Sequence, residues 1–448
     1  MNNPSGIVSA FLISGLRLCR RPVVLLTVVL LVGLGNGTSH AADPRKGPSD
    51  VVLRGRVMPA SGQAGRVVVV VLSRTDEEPT KFFDLTVLAQ DETSFALSLP
   101  PKDGYQMAVY RDENGDEVFQ ENEPVWLSAE LRERDFNADR LSPVLEATLH
   151  RGLPIPPDVL AQLRKSRSGA KQADATNESQ IRVTLGMVED FDSPRFSREA
   201  GQLGLRDPQV FAVRHGVAVS FLEPYAPARI PVLLVHGAGG APGDWKSFVP
   251  MLDKTKYQVW LYSYPSGQRI EQSARMLSEA VVRLQKRYGF KRLDVIGYSM
   301  GGMVARESLL KISADGVPDY LRKFISLSTP WGGYEAAGLG VGTGSVVVPG
   351  LLDLKPGSEF QTQLFGHALP DSIDFHLGFS YHGASATGLP ESNDGVVAIA
   401  SQLASGAQKQ AQAVRGFNES HASILASREM ADWVNEFLDT PPPKKKKK

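Results

Sequence analysis

Gly297-Tyr298-Ser299-Met300-Gly301 is the only G-x-S-x-G in the chain, and it stands between an apolar run, Leu293–Ile296, and a helical one, Met303–Lys311. A serine at such a junction sits on a sharp, strained turn, where side chains two positions away would clash. The two glycines meet that demand. The start of the helix also brings unpaired N–H groups and a positive dipole end close to negative charge developing at the serine.

The surroundings repeat the alternation. Pro231–Val235, Tyr257–Tyr262 and Phe324–Leu327 read as further buried strands. Ile270, Ala274, Leu277, Val281, Leu284 and Tyr288 recur at spacings of 4, 3, 4, 3 and 4, the apolar stripe of an amphipathic helix. Strands alternating with helices over residues 181–440 predict an α/β fold: a mostly parallel sheet with helices on both faces.

A serine hydroxyl is a poor nucleophile until a base takes its proton. In a strand–turn–helix setting of this kind the acid and then the base follow the serine, each at a strand end. Of eight histidines, His367, His376, His382 and His421 follow Ser299. Asp353, Asp371, Asp374, Glu391 and Asp394 are the candidate acids. Asp394 lies in Ser392-Asn-Asp-Gly-Val-Val397, a tight turn after the predicted strand Phe375–Tyr381. With Asp394 as acid, His421 is the only histidine left downstream; it follows the predicted strand Ala413–Phe417. An oxyanion needs two backbone donors. Met300, next to the serine, offers one. Ala238 offers the other, in the glycine-rich loop His236-Gly-Ala-Gly-Gly240 after Pro231–Val235. That loop matches no phosphate-binding glycine pattern.

His236-Gly-Ala238, Gly297–Gly302, Ser328-Thr-Pro-Trp-Gly-Gly333, Asn393-Asp-Gly-Val-Val397 and His421 together resemble the lipase and esterase branch of the α/β-hydrolases, over about residues 215–440. The resemblance implies Ser299 as nucleophile, Asp394 as acid, His421 as base, and Ala238 and Met300 as oxyanion donors. It implies a carboxylic ester hydrolase acting on an ester or lipid substrate, without cofactor or metal. Acyltransferases, thioesterases and some amidases share the pattern, so an envelope acyltransferase or thioesterase is the alternative. A binding or scaffold protein with a vestigial hydrolase domain is the non-enzyme one. A glycine-rich stretch from Thr329 to Asp374 occupies the position where lipase-like enzymes often carry a cap or lid.

Residues 50–150 have a different rhythm. Val51–Val57, Arg66–Leu72, Asp84–Leu88, Ser94–Leu99 and Tyr105–Tyr110 read as short strands between turn signals, which predicts a small all-β sandwich. Phe95–Tyr105, with its Gly-Tyr turn, resembles the prealbumin-like sandwiches. Asp112, Asn114, Asp116 and Glu123 have the spacing of a calcium loop, but Glu117 stands where such a loop needs glycine. An Asn-Gly hairpin turn with solvated charges is the favoured reading. Residues 151–180 turn polar and read as a linker with a short helix near Asp158–Lys165.

Residues 1–41 carry three arginines and no acid, then the short apolar run Val23–Leu34 and Ser39-His-Ala41. This is the pattern of a signal peptide and of export to the periplasm, envelope or medium. Cys19, the one cysteine, would leave with it. The chain has 49 basic and 49 acidic residues, a balance that argues against a nucleic-acid partner. Residues 441–448, three prolines and five lysines, read as a disordered tail able to touch an anionic membrane surface.

Overall fold

A computed structural model describes residues 51–441 apart from 59–64, 75–78, 89–92, 101–103, 117, 139, 166–182, 339–347 and 384–391. The expected signal segment, the lysine tail, Glu391 and most of the glycine-rich run after Gly338 lie outside the described residues.

The N-terminal strands are β1 (Val51–Val57), β2 (Arg66–Ser73), β3 (Lys81–Val87), β4 (Ser94–Leu99), β5 (Tyr105–Asp112), β6 (Val125–Leu127) and β7 (Leu141–Ala147), followed by α1 (Pro157–Lys165). β3-β2-β5-β6 form one sheet, and β4-β1-β7 pack against it. The valine run of β2 is buried on both faces. Val67, Val69 and Val71 join Val51, Leu53, Leu97 and Leu99 between the sheets. Val68, Val70 and Leu72 face the other way, onto Val159 and Leu163 of α1. β-branched side chains suit a doubly covered strand. Burying Val159 and Leu163 contributes about 2 kcal/mol each. The helical part of the polar stretch therefore belongs to this core.

The remaining elements are β8 (Val183–Val188), α2 (Arg198–Arg206), α3 (Pro208–Arg214), β9 (Val217–Phe221), β10 (Ile230–Val235), β11 (Tyr257–Ser263), α4 (Ile270–Tyr288), β12 (Leu293–Tyr298), α5 (Met300–Ile312), β13 (Leu321–Leu327), α6 (Pro349–Leu354), α7 (Glu359–Gln363), β14 (Asp374–Ser380), α8 (Ile399–Gln402), α9 (Ser405–Gln410), β15 (Ala413–Phe417) and α10 (Arg428–Asp439). Their strands run β15-β14-β13-β12-β10-β11-β9-β8, parallel except where β9 meets β11. The stripe of α4 packs with α5 on one face of this sheet. Met430, Trp433, Val434 and Phe437 of α10 cover the other. The α/β expectation holds.

The sandwich is not closed off from this sheet. β4 pairs antiparallel with β8 at Leu97 and Met187, so β4-β1-β7 extend the large sheet to eleven strands. The pairing covers what would otherwise be the open edge of β8. Met187 is buried with the sandwich side chains.

Register sets up the site. Val235 lies beside Gly297, Tyr298 beside Leu327, Leu327 beside Gly378, and Ser380 beside Phe417. The C-terminal ends of β10, β12, β13, β14 and β15 therefore come level, where ligands bind in open parallel sheets.

Candidate active site

Ser299 connects β12 to α5 with φ 54° and ψ −132°. A non-glycine residue there stores about 1–3 kcal/mol of strain. The glycines explain how the turn closes. A Cβ on Gly297 would stand 2.5 Å from Gly302 Cα, and one on Gly301 would stand 2.3 Å from the carbonyl oxygen of Val235. Any side chain at either position would push α5 off β10 and β12. Ser299 itself is half-buried.

His421 follows β15. Its Nε2 lies 3.0 Å from Ser299 Oγ and its Nδ1 2.7 Å from Asp394 Oδ2. An ionised carboxylate only accepts, so Nδ1 carries the proton and Nε2 presents its lone pair to the hydroxyl. His421 is also held by its backbone. Its N–H donates to the Asp394 carbonyl (2.8 Å), and the Tyr298 hydroxyl donates to its carbonyl (2.7 Å).

Asp394 is buried after β14. Its Oδ1 accepts the N–H groups of Val396 (3.0 Å) and Val397 (2.7 Å), closing the expected turn. Burial pushes the carboxyl upward. The hydrogen bond and charge of His421, with the Val397 N–H and Ser380 hydroxyl, outweigh it and hold the group below the ordinary carboxylate range.

The other candidate acids lie elsewhere. Asp353 pairs with Arg269 (2.5 Å) and caps α4 through the Ile270 N–H. Asp374 starts β14, at the end away from Ser299, and Asp371 is exposed before it. His367 and His382 are exposed, and His376 stacks on Phe437 at 3.5 Å.

Met300 is the first residue of α5, and Ala238 follows Gly237 in the loop after β10. A Cβ on Gly237 would lie 3.2 Å from Ser299 Oγ, so the loop passes directly beside the hydroxyl. The residue after Ala238 is held on both sides. The Gly239 N–H donates to Ser266 Oγ (2.8 Å), and its carbonyl accepts from Gln202 Nε2 of α2 (3.0 Å).

A family model described as the α/β hydrolase fold matches residues 230–340, which span the β10 loop, the serine turn and α5. That stretch of the chain is similar to the α/β-hydrolase fold, in line with its parallel sheet. Solved structures similar to it include a gene product of Listeria innocua, 15% identical, covering 48% of this chain and 96% of that one with a TM-score of 0.36. A mature Bacillus licheniformis lipase is 18% identical over 48% of this chain and 94% of its own, with a TM-score of 0.38. Aspergillus fumigatus lipase B is 15% identical over 48% and 54%, with a TM-score of 0.38. No curated protein matches the chain.

Sequence reasoning missed the second layer of this candidate site. Asp394 Oδ2 accepts from Ser380 Oγ (2.7 Å) and Gln402 Nε2 (3.0 Å) as well as from His421. Ser328 Oγ lies 2.7 Å from Ser380 Oγ. These residues stand at the ends of β14 and β13 and on α8, and no spacing along the chain relates them to Asp394. The sequence places His236 only in the loop after β10. It is buried, stacked on Tyr264 at 4.3 Å, with Nδ1 2.9 Å from the Gly237 carbonyl. Burial pushes its imidazole down to about 4, so it is neutral at pH 7.

The calcium-spaced residues are engaged with their own backbone. Asp112 Oδ1 accepts from the N–H groups of Gly115 (2.7 Å) and Asp116 (3.2 Å), and Glu123 accepts from those of Glu113 and Gln120 (both 2.9 Å). In place of a tight Asn-Gly hairpin with solvated charges, the chain turns at Asn114-Gly115 within the longer connection from β5 to β6, and Asp112 and Glu123 are buried. Among the described residues no group of acids or histidines is arranged to hold a metal ion.

Proposed function

We propose that this chain is an exported serine hydrolase that cleaves carboxylic esters through an acyl-enzyme on Ser299. One observation carries the reading: the continuous line from Asp394 Oδ2 through the His421 ring to Ser299 Oγ, at 2.7 and 3.0 Å. His421 Nε2 takes the hydroxyl proton as Ser299 Oγ attacks the ester carbonyl carbon. Asp394 keeps the ring in the required tautomer and stabilises the imidazolium. The carbonyl oxygen, now negative, accepts from the N–H groups of Met300 and Ala238. The C–O bond to the alcohol breaks and His421 returns its proton to the departing oxygen. Water then repeats the cycle on the acyl-enzyme and releases the acid.

The test is fluorophosphonate labelling of the full chain, with turnover of p-nitrophenyl esters of graded chain length. Wild type is expected to label on Ser299 and turn over esters, and Ser299→Ala to do neither. A Ser299→Ala variant with wild-type turnover ends the assignment. Turnover that requires an added alcohol or glycan replaces hydrolysis with acyl transfer.

A further inference from the structure

Among the described residues, three that are not glycine have positive φ: Arg140, Ser299 and Ser328. Arg140 belongs to the sandwich. The two serines end neighbouring strands in register, and the Ser299 N–H donates to the Leu327 carbonyl (2.8 Å). Ser328, at φ 48°, donates its own N–H to the Gly378 carbonyl of the next strand (3.0 Å). Ser380, which ends that strand, completes a row of serines across the tips of β12, β13 and β14.

Proton direction along this row is determined. Asp394 accepts only, so the single hydroxyl proton of Ser380 points to Oδ2. The short contact between Ser328 and Ser380 must then be a donation from Ser328. Gln402 fixes the frame: its Oε1 accepts the Ser380 N–H and its Nε2 donates to Ser380 O and Asp394 Oδ2, each at 3.0 Å. Ser328, Ser380 and Asp394 are all fully buried. The hydrogen-bonded line thus begins at one strained serine and ends at the other.

We propose that Ser328 and Ser380 are positioning residues for Asp394. Their hydroxyls, donating in series, hold Oδ2 in the His421 ring plane and spread its negative charge. The strained backbone of Ser328 is what aims the first hydroxyl. No proton moves beyond His421. The proposal rests on the hydrolase reading above. Two titratable groups act on Asp394 from the elements packed around it. His421 comes from the loop after β15 and Tyr298 from β12, and Asp244 in turn acts on Tyr298.

The experiment measures the fluorophosphonate labelling rate of Ser299 in the full chain across pH, which needs no knowledge of the natural ester. Ser380→Ala should slow labelling about tenfold, the worth of one hydrogen bond to a buried charge. It should also move the acid limb of the profile to higher pH, because a carboxylate with one donor fewer leans harder on the imidazolium. Ser328→Ala should give a smaller loss in the same direction. In the double variant Ser328→Ala should add nothing, since its hydroxyl reaches Asp394 only through Ser380. Ser328→Gly should lose as much rate as Ser328→Ala yet melt at higher temperature, because glycine accepts φ 48° without strain. Ser326→Ala is the control: this serine is also buried in β13, but its Oγ has no hydrogen-bond partner among the described residues. Wild-type rates and limbs in both single variants overturn the proposal, as do additive losses in the double variant or rates that follow melting temperature. A wild type that fails to label overturns the hydrolase reading and this proposal with it. A labelled wild type with unaffected serine variants overturns this proposal alone.

Discussion

Asp112, at the end of β5, and Asp394, after β14, make nearly the same turn. Each is buried, and each has one carboxylate oxygen accepting two backbone N–H groups a few residues on. They differ at the other oxygen. Asp112 Oδ2 faces Arg66 at 3.7 Å, whereas Asp394 Oδ2 takes His421, Ser380 and Gln402. A buried carboxylate in a turn is therefore ambiguous in sequence. Its task is read from what meets the oxygen that the turn leaves over. Asp112 ties a turn to a strand, while Asp394 ties a turn to His421, which touches Ser299.

The sharpest way to break this contrast is to neutralise each aspartate in turn. Asp394→Asn should lower kcat by about 10⁴-fold with the melting curve little changed, because the amide cannot hold the His421 tautomer or stabilise its charge. Asp112→Asn should leave kcat unchanged. Steady-state kinetics on p-nitrophenyl butyrate decide it. Comparable losses at both positions would mean that the two turns do not divide the work as described.

The contrast was half legible in the sequence. The serine turn was readable because its needs are local: a strand, a helix and two glycines within a few residues. Asp394 and His421 were readable from their order after Ser299 and their places beyond predicted strands. Ser328, Ser380 and Gln402 were not, because the sheet brings them together across 52 and 22 positions of chain. β7 escaped for another reason. Pro143 interrupts its pattern and its outward residues are exposed, as an edge strand allows, and among the described strands it pairs with β1 alone. Nor could alternation in β8 announce that β4 would dock on it, since pairing partners are chosen by the assembled edges.

Two further buried groups sharpen the comparison through pH. Burial pushes the His236 imidazole down to about 4 from an ordinary 6.5. Between those values the unfolded chain takes up a proton that the folded chain refuses, so stability falls on acidification, by up to roughly 3 kcal/mol. Asp294 runs the opposite way. Burial pushes it up to about 6 despite Arg292, so folding gains stability as pH falls from 6 toward 3.8. In wild type the two effects offset each other. His236→Asn keeps the donor to the Gly237 carbonyl and removes the titration, so the gain through Asp294 should emerge. Relative to wild type, the variant should become about 2 kcal/mol more stable between pH 7 and 4.5. Urea melts across that range measure it. A constant difference would mean that His236 does not titrate this way.

The Asp112 turn makes a smaller, purely structural prediction. Asp112→Ala takes the side-chain acceptor from the exposed Gly115 N–H and leaves the Asp116 N–H with Asn114 Oδ1 alone, at a cost of about 1 kcal/mol, and should leave kcat alone. EDTA should change neither the melting temperature nor the rate. The loop carboxylates are already engaged by backbone N–H groups, and the proposed mechanism assigns every role to the triad and the oxyanion donors. A melting temperature that drops with EDTA and recovers with calcium would make Asp112, Asn114, Asp116 and Glu123 a cation site after all.

The smallest expected effect on catalysis is also the broadest cut. Ser299, Asp394, His421, Ala238 and Met300 all sit on or beside β10, β12, β14, β15 and α5, and their supporting residues come from α2 onward. The two sandwich cores meet the large sheet mainly at β4 and β8, where Met187 enters one of them. Arg287 of α4 adds a contact over the Phe83 ring at 5.5 Å. A chain beginning at Ile181 loses these contacts and uncovers the edge of β8, but no group in the proposed mechanism. It should hydrolyse p-nitrophenyl butyrate within about threefold of the full chain, a change of less than 1 kcal/mol in the barrier. Its cost should appear as a lower melting temperature and a greater tendency to associate through the bare strand. Activity on aggregated lipid or envelope material is where the sandwich should matter. If the shortened chain is monodisperse and folded yet dead on the small ester, the sandwich shapes the site itself. The division between a turn that holds structure and a turn that does chemistry would then not follow the sheet.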